Sequence, residues 1–315
     1  MKQKDNLKYK VYIYGEGNEY NKFASYLFLY QDKLDILGLV TTEKSRVSSM
    51  DGCPCITVEE IDKTEMDYII IAVKAWREIA DILNQKGIDE SKIILSTAFF
   101  SPFFDLDKYL NLKNSNVSIL SNTCLGGMVY NELGLKILSP TIKTYCPYYP
   151  GKDFLEFAEH YEYYLEMEME EYGEQDKYVA GTQGKELFVP KGIIGDKVIW
   201  QFPHAKNARE AVTKWNERAK RVNLSNIVVL MALHNDDEAY QFAELKVEKK
   251  LGVYYKDLGL DDVIYCPVWN EDENFRYRQG WIWAGGVIEY MLNQNQVSPV
   301  DWIKFLGGEK NYRRF

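Results

Sequence analysis

Cys124 stands where a cysteine can act as a nucleophile. The residues before it, Ser118–Leu120, form an apolar run typical of a short buried strand, and Ser121, Asn122 and Thr123 offer N-cap side chains. The apolar residues after it recur with helical spacing at Leu125, Met128, Val129 and Leu133. We therefore predict Cys124 in the first turn of a helix, where unpaired amides and the helix dipole lower a thiol pKa from about 8.5.

His204 follows a predicted hairpin strand and is the candidate base for this thiol. If the two side chains meet, the imidazole takes the thiol proton, and Asn122 or the amide of Cys124 polarises the attacked carbonyl. A third residue would orient the imidazole, and Asn226 and Asp236 are the candidates for that place. Residues in these roles would form a cysteine-centred catalytic site.

Each of these residues also has a structural interpretation. A free cysteine is often buried as a small hydrophobe, and Gly126 and Gly127 would then only allow close helix packing. A histidine at a strand end, such as His204, is often satisfied by a local carbonyl. Of the other histidines, His160 is predicted to be structural and His234 to be a loop residue near a ligand.

The segment YGEGNEY, residues 14–20, indicates a second candidate site, for a nucleotide or a nucleotide sugar. It follows a predicted strand and opens a helix, so Gly15, Gly17 and Asn18 would bring backbone amides close to a phosphate. The dinucleotide fingerprint is incomplete because Tyr20 replaces its third glycine, which argues against NAD-dependent oxidoreduction. The alternative is that the glycines only make a tight turn.

A basic cluster and several tryptophans are candidate substrate-binding residues. The basic residues, which could receive a phosphate or a sugar diphosphate, are Lys206, Arg209, Lys214, Arg218 and Arg221. The tryptophans, which could stack on a sugar ring, are Trp200, Trp215, Trp281 and Trp283. The alternatives are a solvated helix face for the first set and a packed core for the second.

Composition limits the classes of function. The 315 residues suit two domains, and the net charge of −9 disfavours binding to nucleic acid or to an anionic membrane. The five cysteines have neither disulfide nor metal-ligand spacing, so we predict reduced thiols and no metal. Without a signal-like or membrane-spanning segment, the chain is predicted to be cytoplasmic and to bind a small sugar or nucleotide-sugar ligand, with a homo-oligomer left open.

The elements that must position these residues form an α/β protein of two domains. Residues 9–96 alternate strand and helix patterns, as in a Rossmann-like parallel sheet, and the polar run 113–116 predicts a boundary between domains 1–113 and 114–315. The second domain is predicted to hold a mixed sheet, a long acidic helix from Lys152 to about Tyr172, and a hairpin of Leu187–Ile194 with Lys197–Phe202.

Two stretches of the chain resemble known families. The segments VYIYGEGNEYNKFASYL, DILGLVTT, CPCITVEEI and DYIIIAV resemble Rossmann-like modules that precede sugar-modifying domains in bacterial surface-polysaccharide enzymes, which implies nucleotide or nucleotide-sugar binding. Residues 117–306, through SILSNTCLGGMVYNELGLKILSPT and FVPKGIIGDKVIWQFPHAKNAREAVTKWNERAKRVNLSNIVVLM, resemble an uncharacterised bacterial family loosely associated with exopolysaccharide biosynthesis. The segment Ala232-Leu233-His234-Asn235 departs from the acidic pair expected in that family.

A more distant similarity is to papain-like cysteine peptidases and acyltransferases, in which a cysteine at a helix start meets a histidine from a later strand end. This similarity implies Cys124 and His204 as nucleophile and base. The leading hypothesis is therefore a cysteine-dependent acyl transferase or hydrolase of surface-polysaccharide biosynthesis. The alternatives are a glycosyltransferase-like enzyme without a covalent step, and a non-catalytic scaffold that docks through the aromatic loop 145–149.

Overall fold

The computed structural model describes residues 8–100, 104–147, 153–180, 185–266, 291 and 299–313, without the side chains of 174–180 and 185–188. The chain is an α/β protein, as predicted, and divides into two compact units. The first contains the residues up to Leu106 together with Glu132–Leu135, and the second contains Asp107–Asn131 and the residues from Lys136 on.

The first unit is built on a six-stranded sheet. Its strands are β1 (Tyr9–Tyr14), β2 (Leu34–Thr41), β3 (Ser49–Met50), β4 (Cys53–Thr57), β5 (Tyr68–Ile71) and β6 (Ile93–Leu95). They lie in the order β3-β4-β2-β1-β5-β6, with every pairing parallel except that of β3 with β4. Its helices are α1 (Asn18–Leu27) and α2 (Trp76–Gln85). The continuous apolar run of β5 is buried, as expected of a strand inside a parallel sheet.

The second unit has two sheets, so the predicted mixed sheet is divided between them. The parallel sheet, in the order β13-β12-β11-β7, has the strands β7 (Ser118–Ser121), β11 (Ile227–Ala232), β12 (Lys250–Tyr254) and β13 (Val263–Tyr265). The antiparallel sheet, in the order β10-β9-β8, has the strands β8 (Glu170–Ala180), β9 (Lys185–Ile194) and β10 (Val198–Gln201). Together they carry the residues predicted to do chemistry.

The described helices of the second unit lie before, between and after these strands in the chain. They are α3 (Leu106–Asn114), α4 (Leu125–Leu133), α5 (Phe154–Glu159), α6 (Tyr161–Glu166), α7 (Ala208–Ala219), α8 (Asp236–Glu244) and α9 (Trp302–Leu306). The predicted hairpin is confirmed: β9 and β10 join at Gly195 and Asp196, which have φ angles of +62° and +53°. Two successive positive φ angles are typical of a tight hairpin turn.

The long acidic helix predicted from Lys152 to about Tyr172 is wrong. The described part of this segment contains two six-residue helices, α5 and α6, followed by β8, which starts at Glu170. The side-chain amide of Asn216 binds both backbone polar groups of Met169, at 2.9 Å and 3.2 Å, and thereby holds the chain extended. Glutamate alternates with methionine between Glu166 and Glu170, and this period of two is the strand signal that the sequence analysis passed over.

Candidate functional site

The site of the second unit lies where β7 and β11 end side by side. The two strands pair in parallel from Ile227 opposite Ser118 to Leu230 opposite Ser121, so their carboxyl ends reach the same edge of the sheet. Beyond this edge the chain continues into Cys124 after β7 and into His234 after β11. Polar loops at the carboxyl ends of parallel strands are the usual place for a ligand in an α/β protein.

Asn122 ties the two strand ends together. Its side-chain amide donates to the carbonyl of Ala232 at 2.8 Å and accepts from the Ala232 amide at 2.9 Å, and its own carbonyl accepts from the Cys146 amide at 2.9 Å. The residue is 1% exposed. With its amide engaged on both sides, Asn122 positions the backbone, and this corrects the carbonyl-polarising role predicted for it.

Cys124 immediately precedes α4, as predicted, and Thr123 accepts a hydrogen bond from the Leu125 amide at 3.2 Å as an N-cap side chain does. The thiol is partly exposed, and its Sγ lies 3.9 Å from the carbonyl oxygen of Thr144. Burial raises the pKa of the Cys124 thiol, and the positive charge of Lys143 opposes that rise. The expected lowering of this pKa is therefore wrong, because loss of hydration outweighs the favourable charges.

His204 is exposed and follows β10. Partial burial lowers the pKa of its imidazole, and the charge of Lys143 lowers it further. The ring is therefore neutral at pH 7, which is the form that can accept a proton.

The charge of Lys143 acts on both residues, opposing the rise in the pKa of Cys124 and lowering the pKa of His204. An antiparallel bridge joins Tyr145 to Gln201 through hydrogen bonds of 2.8 Å and 2.9 Å, so Lys143 stands two residues before, and His204 three residues after, this pairing. Thr144, next to Lys143, provides the carbonyl that faces Cys124. Within the described residues no hydrogen bond joins Cys124 to His204.

A second polar cluster, which we call the buried carboxylate cluster, consists of Asp153, His234 and Glu238. None of the three is more than 5% exposed. The His234 Nδ1 lies 3.0 Å from a carboxylate oxygen of Glu238, which also accepts from the His234 backbone amide. Burial and the negative charge of Glu238 raise the pKa of Asp153 to about 6, although the Leu155 amide donates to it at 3.0 Å.

Asp153 and Glu238 were not predicted as site residues from the sequence. Both occupy ordinary first-turn positions of helices: Asp153 caps α5, and Glu238 follows the cap Asn235 of α8 by three residues. Such positions are typical of solvated carboxylates, so their burial depends on tertiary packing. Cys146 belongs to the same surroundings, since burial and the charges of Asp153 and Glu238 raise its thiol pKa well above the usual value.

Neither predicted candidate for the third catalytic place lies beside His204 in the hydrogen-bond pattern. Asn226, which precedes β11 at the amino end of the sheet, donates to the Ser115 carbonyl at 3.0 Å and accepts from Lys249. Asp236 binds the Tyr254 hydroxyl and the Lys256 ammonium. Both side chains therefore have structural partners away from Cys124.

The predicted basic cluster separates into individual contacts. Lys214 pairs with Glu210, and Arg209 lies 3.7 Å from Glu171. Arg218 turns towards the site, and its Nη1 donates to the Ile142 carbonyl at 3.2 Å. This hydrogen bond connects Arg218, one of the five basic residues predicted to bind substrate, to the segment that carries Lys143.

The predicted stacking of Trp200 on a sugar is contradicted by its burial. Its side chain is 0% exposed and packs edge-on against Phe154 and Phe157, with the Trp215 ring 4.7 Å away. The aromatic loop proposed for a scaffold loses its first member in the same way, because Tyr145 is buried. Trp281, Trp283 and the rest of that loop beyond 147 lie outside the described residues.

The glycine turn of the first unit has one constrained glycine and one open glycine. Gly15 has φ +118°, and a Cβ there would lie 2.8 Å from the Ala72 carbonyl oxygen, so this position requires glycine. Gly17 has φ −98°, and a Cβ there would meet nothing within 4 Å. Asn18 begins α1, and Glu16 binds the Ser45 hydroxyl at 2.6 Å.

A membrane-spanning helix and a metal-binding group are both absent from the described residues. No helix in that part of the chain is long and apolar enough to cross a membrane. The described His, Cys, Asp and Glu side chains form no group of three or more that could hold a metal ion.

The first part of the chain matches a family model, and part of the chain matches an uncharacterized relative. Residues 7–94 match the family model "C2185-like, N-terminal". An uncharacterized protein of Haemophilus influenzae is 25% identical over 120 residues, which are 38% of this chain and 51% of that protein, so the match spans about half of the relative.

Two solved structures are distantly similar to this chain. The aspartate semialdehyde dehydrogenase II of Vibrio cholerae, complexed with ASA, is 13% identical with a TM-score of 0.24 and 42% coverage of both chains. An NAD-binding protein of Listeria innocua is 12% identical with a TM-score of 0.24, over 61% of this chain and 65% of that one.

The predicted resemblance of the region from residue 117 on is confirmed at family level: residues 95–306 match a domain of unknown function, and the chain belongs to the DUF1919 family.

Proposed function

We propose that the second unit is a cysteine-dependent acyl transferase or hydrolase that acts in the cytoplasm in the assembly of a bacterial surface polysaccharide. One observation carries the proposal: Cys124 and His204, eighty residues apart in the chain, both lie within the electrostatic influence of Lys143. The polysaccharide setting is supported by the sequence resemblance described above.

The proposed reaction has two steps. In the first, His204 takes the proton of the Cys124 thiol while Sγ attacks the acyl carbonyl, and the C–S bond of a thioester forms as the bond to the leaving group breaks. The protonated imidazole gives its proton to the leaving group. In the second step a sugar hydroxyl, or water in a hydrolase, attacks the thioester and His204 takes its proton. The C–S bond then breaks, and the imidazolium returns the proton to the departing sulfur, so that the thiol and the neutral imidazole are restored.

The electrostatics favour a neutral resting pair over a thiolate–imidazolium pair. Burial raises the pKa of Cys124, and partial burial lowers that of His204, so both directions disfavour the charged forms. Proton transfer would then accompany the attack, and His204 would act as a true general base.

Replacing His204 with alanine is expected to slow the alkylation of Cys124 by iodoacetamide at pH 7.5 by at least roughly tenfold, because the thiol loses its base. Peptide mass spectrometry would follow Cys124 separately from the partly exposed Cys53 and Cys55. The control is His160→Ala, which removes an exposed histidine next to α5. Equal Cys124 rates in wild type and His204→Ala would reject the proposed base.

We further propose that the first unit holds a nucleotide or a nucleotide sugar at the Gly15–Asn18 turn. The open space over Gly17, at the start of α1, supports this assignment because backbone amides there have room for a phosphate. The negative side chains of Glu16 and Glu19 would repel a phosphate. A phosphate bound here would therefore be held by backbone amides and not by side chains.

Gly17→Val is expected to abolish binding of a uridine or adenosine diphosphate sugar while the protein stays folded. Its φ of −98° suits a side chain, and the added atoms would occupy the proposed ligand space. Isothermal titration would measure binding, and thermal melting would show the fold intact. An Asp89→Val change at an exposed turn of the same unit is the control. Unchanged binding in Gly17→Val would reject this position.

A further inference from the structure

Lys143 has a backbone conformation that its residue type does not explain. Its φ is +59°, in the left-handed region that lysine seldom adopts. The residue is exposed, whereas its neighbours Ile142 and Thr144 are buried. The chain therefore presents this one side chain outward from a segment that is otherwise packed.

The backbone on both sides of Lys143 is held in place. The Ile142 carbonyl accepts from Arg218, and the Thr144 carbonyl faces the Cys124 thiol at 3.9 Å. One residue further on, Tyr145 bridges to Gln201. The position of the Lys143 Cα is thus fixed relative to Cys124 and to the strand that leads to His204.

The ammonium of Lys143 makes no ion pair within the described part of the chain, in a protein whose net charge is −9. Lys214 on α7, by contrast, has a carboxylate partner in Glu210. An exposed cation without a partner, next to a nucleophile and a base, is well placed to receive a negative group of a ligand.

We propose that Lys143 binds an anionic group of the acyl donor, so that the substrates of this site carry a carboxylate or a phosphate close to the carbonyl that Cys124 attacks. This inference rests on the proposed function of the second unit. Lysine suits the role because its ammonium is a compact charge on a flexible stem and can follow the group as the carbonyl approaches Sγ. Arg218 acts as a positioning residue, since it donates to the backbone carbonyl next to Lys143.

Two alkylating reagents of nearly equal size test the charge preference directly. Iodoacetate carries a carboxylate and iodoacetamide does not, so the ratio of their rates at Cys124 measures attraction of an anion, independently of thiolate fraction. We expect a ratio about fivefold higher than that of N-acetylcysteine amide, an uncharged free thiol, which is the effect of unit charges about 4 Å apart in water. Cys53 is not a neutral reference, because the charge of the neighbouring Asp51 repels iodoacetate.

Lys143→Gln is expected to lower the Cys124 ratio about fivefold, to that of N-acetylcysteine amide. Lys136→Gln, which removes an exposed lysine on the same connection, should leave it unchanged. Lys143→Gly removes the charge and also the strained side chain, so it tests the charge effect should the glutamine variant fold poorly. A Cys124 ratio that both Lys143 variants leave as in wild type would overturn the inference, as would a wild-type ratio no higher than that of the free thiol.

The proposed function fails in a different way. If His204→Ala leaves the iodoacetamide rate at Cys124 unchanged, the base assignment is lost whatever the iodoacetate ratio shows. If the iodoacetamide rate depends on His204 but the ratio shows no anion preference, the catalytic pair stands and the anionic substrate is rejected.

Discussion

Replacing Asp153 with asparagine is expected to raise the free energy of unfolding by about 3 kcal/mol at pH 8 and to have almost no effect at pH 3.5. Burial first, and the charge of Glu238 second, raise the pKa of Asp153 from 3.8 to about 6. Above pH 6 the native protein must keep an unfavourable carboxylate, whereas the unfolded chain keeps it in water. Asparagine removes that charge and still caps α5, because it accepts the same hydrogen bond.

The sign of the pH dependence follows from the raised pKa. Between pH 3.8 and about 6 the native state holds a proton at Asp153 that the unfolded state has lost, so the stability of the wild type falls as the pH rises through this window. Chemical denaturation at several pH values would measure it. Asp89→Asn, which makes the same exchange at an exposed cap, is the control. A loss of stability in Asp153→Asn at pH 8 would show that the carboxylate is favourable.

This cost bears on the role of the buried carboxylate cluster. Burying two carboxylates and an imidazole at the end of a sheet is energetically unfavourable. A carboxyl group with a raised pKa, such as that of Asp153, is found most often at functional sites. The cluster lies at the same sheet edge as Cys124, and Asn122 connects the two regions through Ala232 and Cys146. A stabilised Asp153→Asn variant would also show whether Cys124 reactivity depends on the cluster.

Much of the fold could be predicted because local pattern and tertiary packing agree. The apolar run of β5, the alternation of Val198 and Trp200 in β10, and the Gly195-Asp196 turn each predict their element, and the structure confirms them. The prediction of a helix around Met169 was wrong, because glutamates that recur with a period of two were assigned to one face of a helix. Strand β12 was missed because all five of its residues are buried, including Lys250, and so give no alternation.

The site was harder to predict because its chemistry depends on burial. Cys124 lies at the predicted helix start, yet loss of hydration reverses the predicted direction of its pKa. Trp200 has the residue type of a sugar platform and the burial of a core residue. Asp153 and Glu238 look like exposed caps in the sequence, and Lys143 gives no signal at all, since its left-handed backbone follows from contacts distant in the chain.

Replacing Asn122 with alanine is expected to lower the free energy of unfolding of the second unit by about 4 kcal/mol, since two buried backbone groups of Ala232 lose their partners at about 1–3 kcal/mol each. The change also releases the strand end that places Cys124. We therefore expect the His204-dependent part of Cys124 alkylation to be lost together with stability. Thermal melting and alkylation well below the melting temperature would measure the two effects.

Asn226→Ala is the matched control, because it removes an amide clamp at the opposite end of the same strand. It should cost about 1–2 kcal/mol and leave Cys124 alkylation unchanged, since the carboxyl end of β11 keeps its contacts. The informative contrary result is an Asn122→Ala protein with normal stability but without Cys124 reactivity. Asn122 would then act on the reacting groups, as the sequence first suggested, and the clamp seen in the structure would be incidental to its role.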